Sequence, residues 1–240
     1  MNKLVVICEG KTEVRLLENL LYSKLEHWFY PIIPITLPTG ENPGGGTAKG
    51  GFHSSDGYSF ALKHIIYTLK LHVDGVITTF FDLYGFPTDI PCYKDAGAIL
   101  NTIERAGIYE RQMLLDVAER KIDGRFIPYV QPCESEAFLF VDPCLSALEM
   151  GNNDTDVERI KAKMTDIRTQ YSSPEYINAD KGPSMHLEEI IAGYRKNKVG
   201  KSGFSWKAAK EIGIEAICAE CTHFNEWIQK LGTLHNRCLD

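Results

Sequence analysis

Leu4-Val5-Val6-Ile7-Cys8-Glu9-Gly10-Lys11-Thr12-Glu13 is the stretch that decides the fold. Leu4 to Ile7 is an apolar run with three β-branched residues, the composition of a strand buried on both faces. Gly10 turns the backbone and Thr12 opens a helix, in which Val14, Leu17, Leu21 and Leu25 recur at helical spacing. Strand, glycine turn and helix fix the Glu9 carboxylate at the carboxyl end of the first strand, where ligands bind in open α/β sheets. Gly75-Val76-Ile77-Thr78-Thr79-Phe80-Phe81 reads as a second buried strand, with Asp82 at its end. Two acids at the tips of two buried strands predict one metal site.

Outward from these strands the alternation continues. Pro31 to Pro38 is apolar but broken by prolines, which predicts a short edge strand. A helix over about 58–72 leads into the Asp82 strand, two helices occupy about 95–121, and Arg125 to Gln131 reads as a last strand. This order predicts an α/β core over 1–142, a Rossmann-like central parallel sheet flanked by helices. Beyond Asp142 the pattern is mainly helical, so 143–240 is expected to be a helical extension packed on the core.

Composition bounds the function. The 240 residues are 44% hydrophobic and 24% charged, an ordinary globular balance. No signal-peptide pattern opens the chain and no apolar run approaches the ~18 residues of a membrane span, so a cytoplasmic protein without a membrane partner is expected. Seven cysteines without regular spacing point to reduced thiols. The net charge of −6 argues against coating nucleic acid by bulk electrostatics. Ile190 to Lys210 nevertheless holds six bases and no acid, including Lys196, Lys198 and Lys201. Such a strip can contact phosphates, or it can be a plain solvated face.

A third acidic cluster follows the last strand. In Gln131-Pro132-Cys133-Glu134-Ser135-Glu136-Ala137-Phe138-Leu139-Phe140, Glu134 and Glu136 stand beside an apolar helix start. The helix dipole alone would favour carboxylates there. If the three strands are neighbours, however, Glu9, Asp82 and Glu134 converge on one sheet edge. Mg²⁺ and Mn²⁺ are held by a few carboxylates plus water, which leaves room for phosphate oxygens. One or two such ions support phosphodiester cleavage.

Motifs along nearly the whole chain carry a resemblance. They are Glu9-Gly10-Lys11-Thr12-Glu13, Phe81-Asp82-Leu83-Tyr84-Gly85-Phe86-Pro87, Arg125 to Gln131 with Glu134 to Phe140, and Pro174-Glu175-Tyr176-Ile177-Asn178. Pro183-Ser184, Tyr194-Arg195-Lys196 with Gly200, and Cys221-Thr222-His223-Phe224-Asn225-Glu226-Trp227 follow. In these the chain resembles an uncharacterised bacterial family, domain of unknown function 4276. The core of that family is similar to the Toprim fold of topoisomerases, primases and overcoming-lysogenization-defect nucleases. The resemblance implies a Toprim-like core in which Glu9 is a metal ligand or general acid/base and Asp82 is the first acid of an Asp-x-Asp pair. Tyr84 occupies the place of the second acid. The missing ligand would come from Glu134, with Glu136 as the alternative. Cys133 stands where the resemblance leads us to expect histidine, and Met185-His186 where it leads us to expect two bases. Lys11, Lys181, Lys196, Lys198 and Lys201 remain to bind phosphate, with Lys196 stabilising charge on phosphoryl oxygens. The resemblance also implies an ATPase partner of the AAA or ABC type, in phage defence.

Other signals carry less. Gly10-Lys11-Thr12 lacks the upstream glycine of a phosphate loop, because Val5 stands there within the strand. The Gly44 to Gly51 stretch could close over a phosphate, but reads equally as a surface loop. Cys218-x₂-Cys221 with His235-x₂-Cys238 has zinc-type spacing. The first pair falls among Ile214, Ile217, Phe224 and Trp227, a core face, which argues against zinc. Two functions stay open: a Mg²⁺- or Mn²⁺-dependent nuclease acting on DNA or RNA, and a non-catalytic regulatory or sensor subunit of an ATPase complex. A homodimer is compatible with either.

Overall fold

The computed structural model of the chain describes residues 2–37, 57–120, 124–177, 181–195 and 205–237. The chain forms two compact units, Met1–Gln131 with Trp227–Asp240, and Pro132–Glu226. This division differs from the one expected after residue 142, because the last segment of the chain returns to the sheet of the first unit.

In the first unit the order is β1 (Asn2–Cys8), α1 (Lys11–Leu16), a π-helical segment (Leu17–Leu21), α2 (Tyr22–Leu25), β2 (Phe29–Thr36) and α3 (Gly57–Leu71). It continues through β3 (Gly75–Asp82), α4 (Tyr93–Gly97), α5 (Thr102–Ala118), β4 (Phe126–Ile127) and β5 (Val130–Gln131). The sheet is parallel throughout, in the order β2-β1-β3-β4, with β5 also paired to β3. Helices flank it, as the alternation predicted, and the fold is α/β and Rossmann-like. β1 is central because both its faces are apolar: Leu4, Val5, Val6 and Ile7 are all buried. β2 carries Pro31 and Pro34 and takes the edge, where missing donors are tolerated.

Val5, Ile7, Ile77 and Phe81 share one core with Tyr58, Ala61, Ile65 and Leu69 of α3 and with Tyr109, Met113 and Val117 of α5. Both ends of α3 are tied to the sheet unit by side chains. The Asp89 carboxylate accepts from the Tyr58 and Ser59 N–H groups at 2.8 and 2.9 Å, filling orphan donors of the first turn. The Arg125 guanidinium donates to the His72 and Gly75 carbonyls, both at 2.8 Å, and to Leu69 O at 3.3 Å. It thereby caps the helix end and fixes the start of β3.

The last strand is interrupted rather than continuous. Ile77 pairs with Phe126 and Thr78 with Ile127, and beyond a two-residue gap Phe81 pairs with Val130 and Asp82 with Gln131. The offset is the same on both sides, so the register survives the gap. Pro128 has no N–H to give the ladder. Side chains replace the missing main-chain bonds. The Tyr129 N–H donates to Thr79 Oγ1 at 2.8 Å, and that hydroxyl donates to the Tyr129 carbonyl at 3.0 Å. The Val130 N–H donates to Glu110 Oε1 at 2.9 Å, from α5.

The second unit holds short 3₁₀ segments (Ser135–Phe140 and Pro174–Tyr176) and α6 (Pro143–Met150), α7 (Asp154–Arg168), α8 (Pro183–Ile190), α9 (Trp206–Ile212) and α10 (Ile214–Glu220). Its core gathers Leu139, Phe140, Met150, Ile160, Met164, Leu187 and Tyr194. The final helix, α11 (Thr222–Arg237), starts in this unit and continues in the first. There Trp227 is buried, stacks on Tyr129 with centroids 4.4 Å apart and on Phe80 at 5.5 Å, and donates from Nε1 to Thr78 Oγ1 at 2.9 Å. Among the described residues no helix is long and apolar enough to cross a membrane.

Candidate functional site

The chain leaves β1 to one side for β2 and then crosses to the other for β3, so β1 and β3 flank the topological switch point of the sheet. Crevices for ligands in open α/β sheets lie outside the carboxyl ends of the strands at such a point. Glu9 and Asp82 stand there. Cys8 is in register with Phe80, and the Glu9 N–H donates to the Phe80 carbonyl at 3.4 Å. The Asp82 N–H in turn donates to Glu9 Oε2 at 3.3 Å. Both side chains are half-buried. The first two acids expected at the site are therefore brought together by strand pairing.

The residues around them are held for identifiable reasons. Glu13 Oε2 accepts from the Gly10 N–H at 2.7 Å, which closes the first turn of α1 on the glycine and leaves Lys11 exposed at the helix start. After Asp82 the chain turns, with the Phe86 N–H donating to the Leu83 carbonyl at 3.2 Å. Gly85 has φ +76°, the left-handed conformation that the third position of a type II turn requires. Leu83 and Phe86 are buried beneath the turn, whereas Tyr84 is 77% exposed. Tyr84, where the resemblance led us to expect a second acid, is thus an outward aromatic side chain.

On the other side of Asp82 lies its register partner Gln131, fully buried. The Tyr129 hydroxyl donates to Gln131 Oε1, and the Leu83 N–H donates to the Gln131 carbonyl at 2.9 Å. Cys8 directly precedes Glu9, and burial pushes its thiol well up, so it is a neutral core group.

The remaining acids belong to the second unit. Glu134 Oε2 accepts from the Ser184 N–H at 2.8 Å, in the first turn of α8, where the helix dipole favours an anion. Glu136 is buried, and its Oε1 accepts from the Tyr194 hydroxyl at 3.4 Å. Burial first, and Glu136 second, push the Tyr194 hydroxyl up, which keeps it a neutral donor. Lys181 pairs with Glu189. Lys196, Lys198 and Lys201 lie outside the described residues, as do the Gly44 to Gly51 stretch and Cys238. Cys218 lies in α10 and Cys221 at its end, neither in a disulfide, with Cys221 fully buried and its thiol pushed up by burial. Among the described residues, no three His, Cys, Asp or Glu side chains gather as a metal cage.

Two acids that sequence reasoning passed over are built into the scaffold. Glu110 anchors the strand interruption. Glu175, fully buried, accepts from the His223 and Phe224 N–H groups, both at 3.0 Å, at the first turn of α11. Both lie in segments the sequence marks, Glu175 within a quoted motif. Only the identity of the partner amides, distant in sequence, reveals the role.

Fold and site together define an α/β protein with an acidic pair at the switch point of a parallel sheet. The chain belongs to the family described as Domain of unknown function (DUF4276), whose profile matches residues 8–232. Neither a curated protein nor a solved structure matches the chain.

Proposed function

We propose that this protein is a divalent-metal-dependent phosphoesterase, a nuclease acting on DNA or RNA, with a Toprim-like core and an ATPase partner in phage defence. The observation that supports it is the Glu9–Asp82 pair, joined through the Asp82 N–H at the carboxyl ends of β1 and β3. Mg²⁺ is commonly bound through one or two carboxylates plus water and substrate phosphate, so this donor set fits such an ion. When bound, Mg²⁺ or Mn²⁺ would supply Lewis-acid charge to the scissile phosphate. Glu9 and Asp82 would hold it. Lys11, exposed at the head of α1, would attract phosphate oxygens.

A second reading, a non-catalytic regulatory or sensor subunit of an ATPase complex, is favoured by the exposed Tyr84 at the second acid position and by the bond from the Ser184 amide to Glu134. Nuclease assays on plasmid, linear DNA and structured RNA with Mg²⁺ or Mn²⁺, with and without the ATPase, separate the two. The nuclease reading expects metal-dependent cleavage that is lost in Glu9→Ala and in Asp82→Ala. Folded protein that cleaves nothing, even with its partner, would overturn the nuclease reading and favour the regulatory one.

A further inference from the structure

Gln131 has the placement of a residue that works on Asp82. The two are register partners in a parallel pair, so their side chains leave the sheet on the same face. Gln131 is fully buried, and a buried amide has to satisfy both its ends. One end is fixed: Oε1 accepts from the Tyr129 hydroxyl. Tyr129 is held in place because its ring stacks on Trp227 at 4.4 Å and packs against Phe80 at 5.4 Å, the three rings forming one cluster. An amide whose oxygen is held in this way presents its NH₂ end in the opposite direction.

We infer that Gln131 is a positioning residue for the acidic pair. Its Nε2 donates to the Asp82 carboxylate, and Tyr129 and Trp227 hold the amide in that orientation. This rests on the proposal that Glu9 and Asp82 bind a divalent cation. The interrupted last strand acquires a purpose in this light. Thr79 and Glu110 keep β5 in register across Pro128, and so keep Gln131 opposite Asp82. A ligating carboxylate oriented by a neighbouring donor binds metal more tightly than one free to rotate, and losing such a partner typically costs 10–100-fold in metal affinity.

The test is direct binding of Mn²⁺ to the full chain, measured by electron paramagnetic resonance, with thermal unfolding of each variant alongside. Gln131→Met keeps the volume and removes the donor; it is expected to weaken Mn²⁺ binding about 10-fold. Tyr129→Phe removes only the hydroxyl and keeps the aromatic stack, and a smaller loss in the same direction is expected. The double variant should bind as Gln131→Met does, since Tyr129 acts through the amide; purely structural damage would add instead. Wild type that binds Mn²⁺ and loses it in Glu9→Ala, beside Gln131→Met with unchanged affinity, overturns this inference and leaves the metal site standing. Wild type that binds no Mn²⁺ overturns the metal site itself, and the inference with it. Should Gln131→Met fail to fold, Tyr129→Phe carries the test, and unchanged affinity there refutes the coupling.

Discussion

Thr79 is fully buried, and its hydroxyl does the work of two main-chain groups at the strand interruption. Thr79→Val keeps the shape and deletes the hydroxyl. The Tyr129 carbonyl keeps a donor, because the Phe81 N–H reaches it at 3.3 Å. The Tyr129 N–H loses its acceptor, inside a fully buried residue. An unsatisfied buried donor costs about 1–3 kcal/mol, whereas the better strand propensity of valine returns a few tenths at most. For a chain of this size that corresponds to a fall in Tm of roughly 2–12 °C. Urea titration followed by far-UV circular dichroism reads the change, with Thr79→Ser as the control that retains the hydroxyl. Thr79→Val within about 0.5 kcal/mol of wild type, the range of an ordinary surface change, would refute the reasoning. So would a serine variant as unstable as the valine one.

Two further outcomes follow from burial and close approach. Burial, the leading cause, raises the Glu175 carboxyl above its ordinary value of 4.5, while the His223 and Phe224 amides pull it back in part. A raised folded-state value gives stability that is present below pH 4.5 and lost as pH rises through the folded value, because the unfolded chain releases its proton first. Glu175→Gln abolishes that dependence, so its urea midpoint relative to wild type should be more favourable at pH 7.5 than at pH 4.5; an unchanged difference contradicts the assignment. Gly232 lies in α11, where a Cβ would meet Trp28 Cη2 and Cζ2 at 3.0 Å. Gly232→Ala should therefore destabilise by about 1 kcal/mol through overpacking, against the gain of similar size that helix propensity alone predicts, and thermal unfolding decides the sign.

The core strands were legible because they are unambiguous in chemistry. Leu4 to Ile7 and Gly75 to Phe81 have apolar side chains on both faces and no helical spacing, and the acids that end them had to lie at one sheet edge once the strands paired. The prolines of β2 announced an edge. Pro128 carried the interruption of the last strand in plain view, but the register across it depends on Thr79 and Glu110, whose partners are 50 and 20 residues away. No local pattern encodes such distant bonds. The π-helical segment at Leu17–Leu21 also escaped notice, since its leucines fit ordinary helical spacing nearly as well. Lys181 illustrates the limit for the site: the resemblance leaves it as a candidate to bind phosphate, and only the fold supplies Glu189 as its counterion. Glu175 is the opposite case, an acid that the sequence offers only as part of a motif and that the fold buries under a helix end.

The return of α11 to the sheet also sets a timetable for synthesis. Thr78 and Trp227 are 149 residues apart in the chain, and their bond is one of the longest-range links in the first unit. At about 5–20 residues per second, a ribosome finishes β3 roughly 7–30 s before Trp227 emerges. During that interval Phe80, joined by Tyr129 once that residue is made, lacks its indole cover. Nascent chains of this protein thus pass through a stage in which an aromatic surface stands bare, a natural point of engagement for a chaperone. Chains released after Glu226 would remain arrested in it.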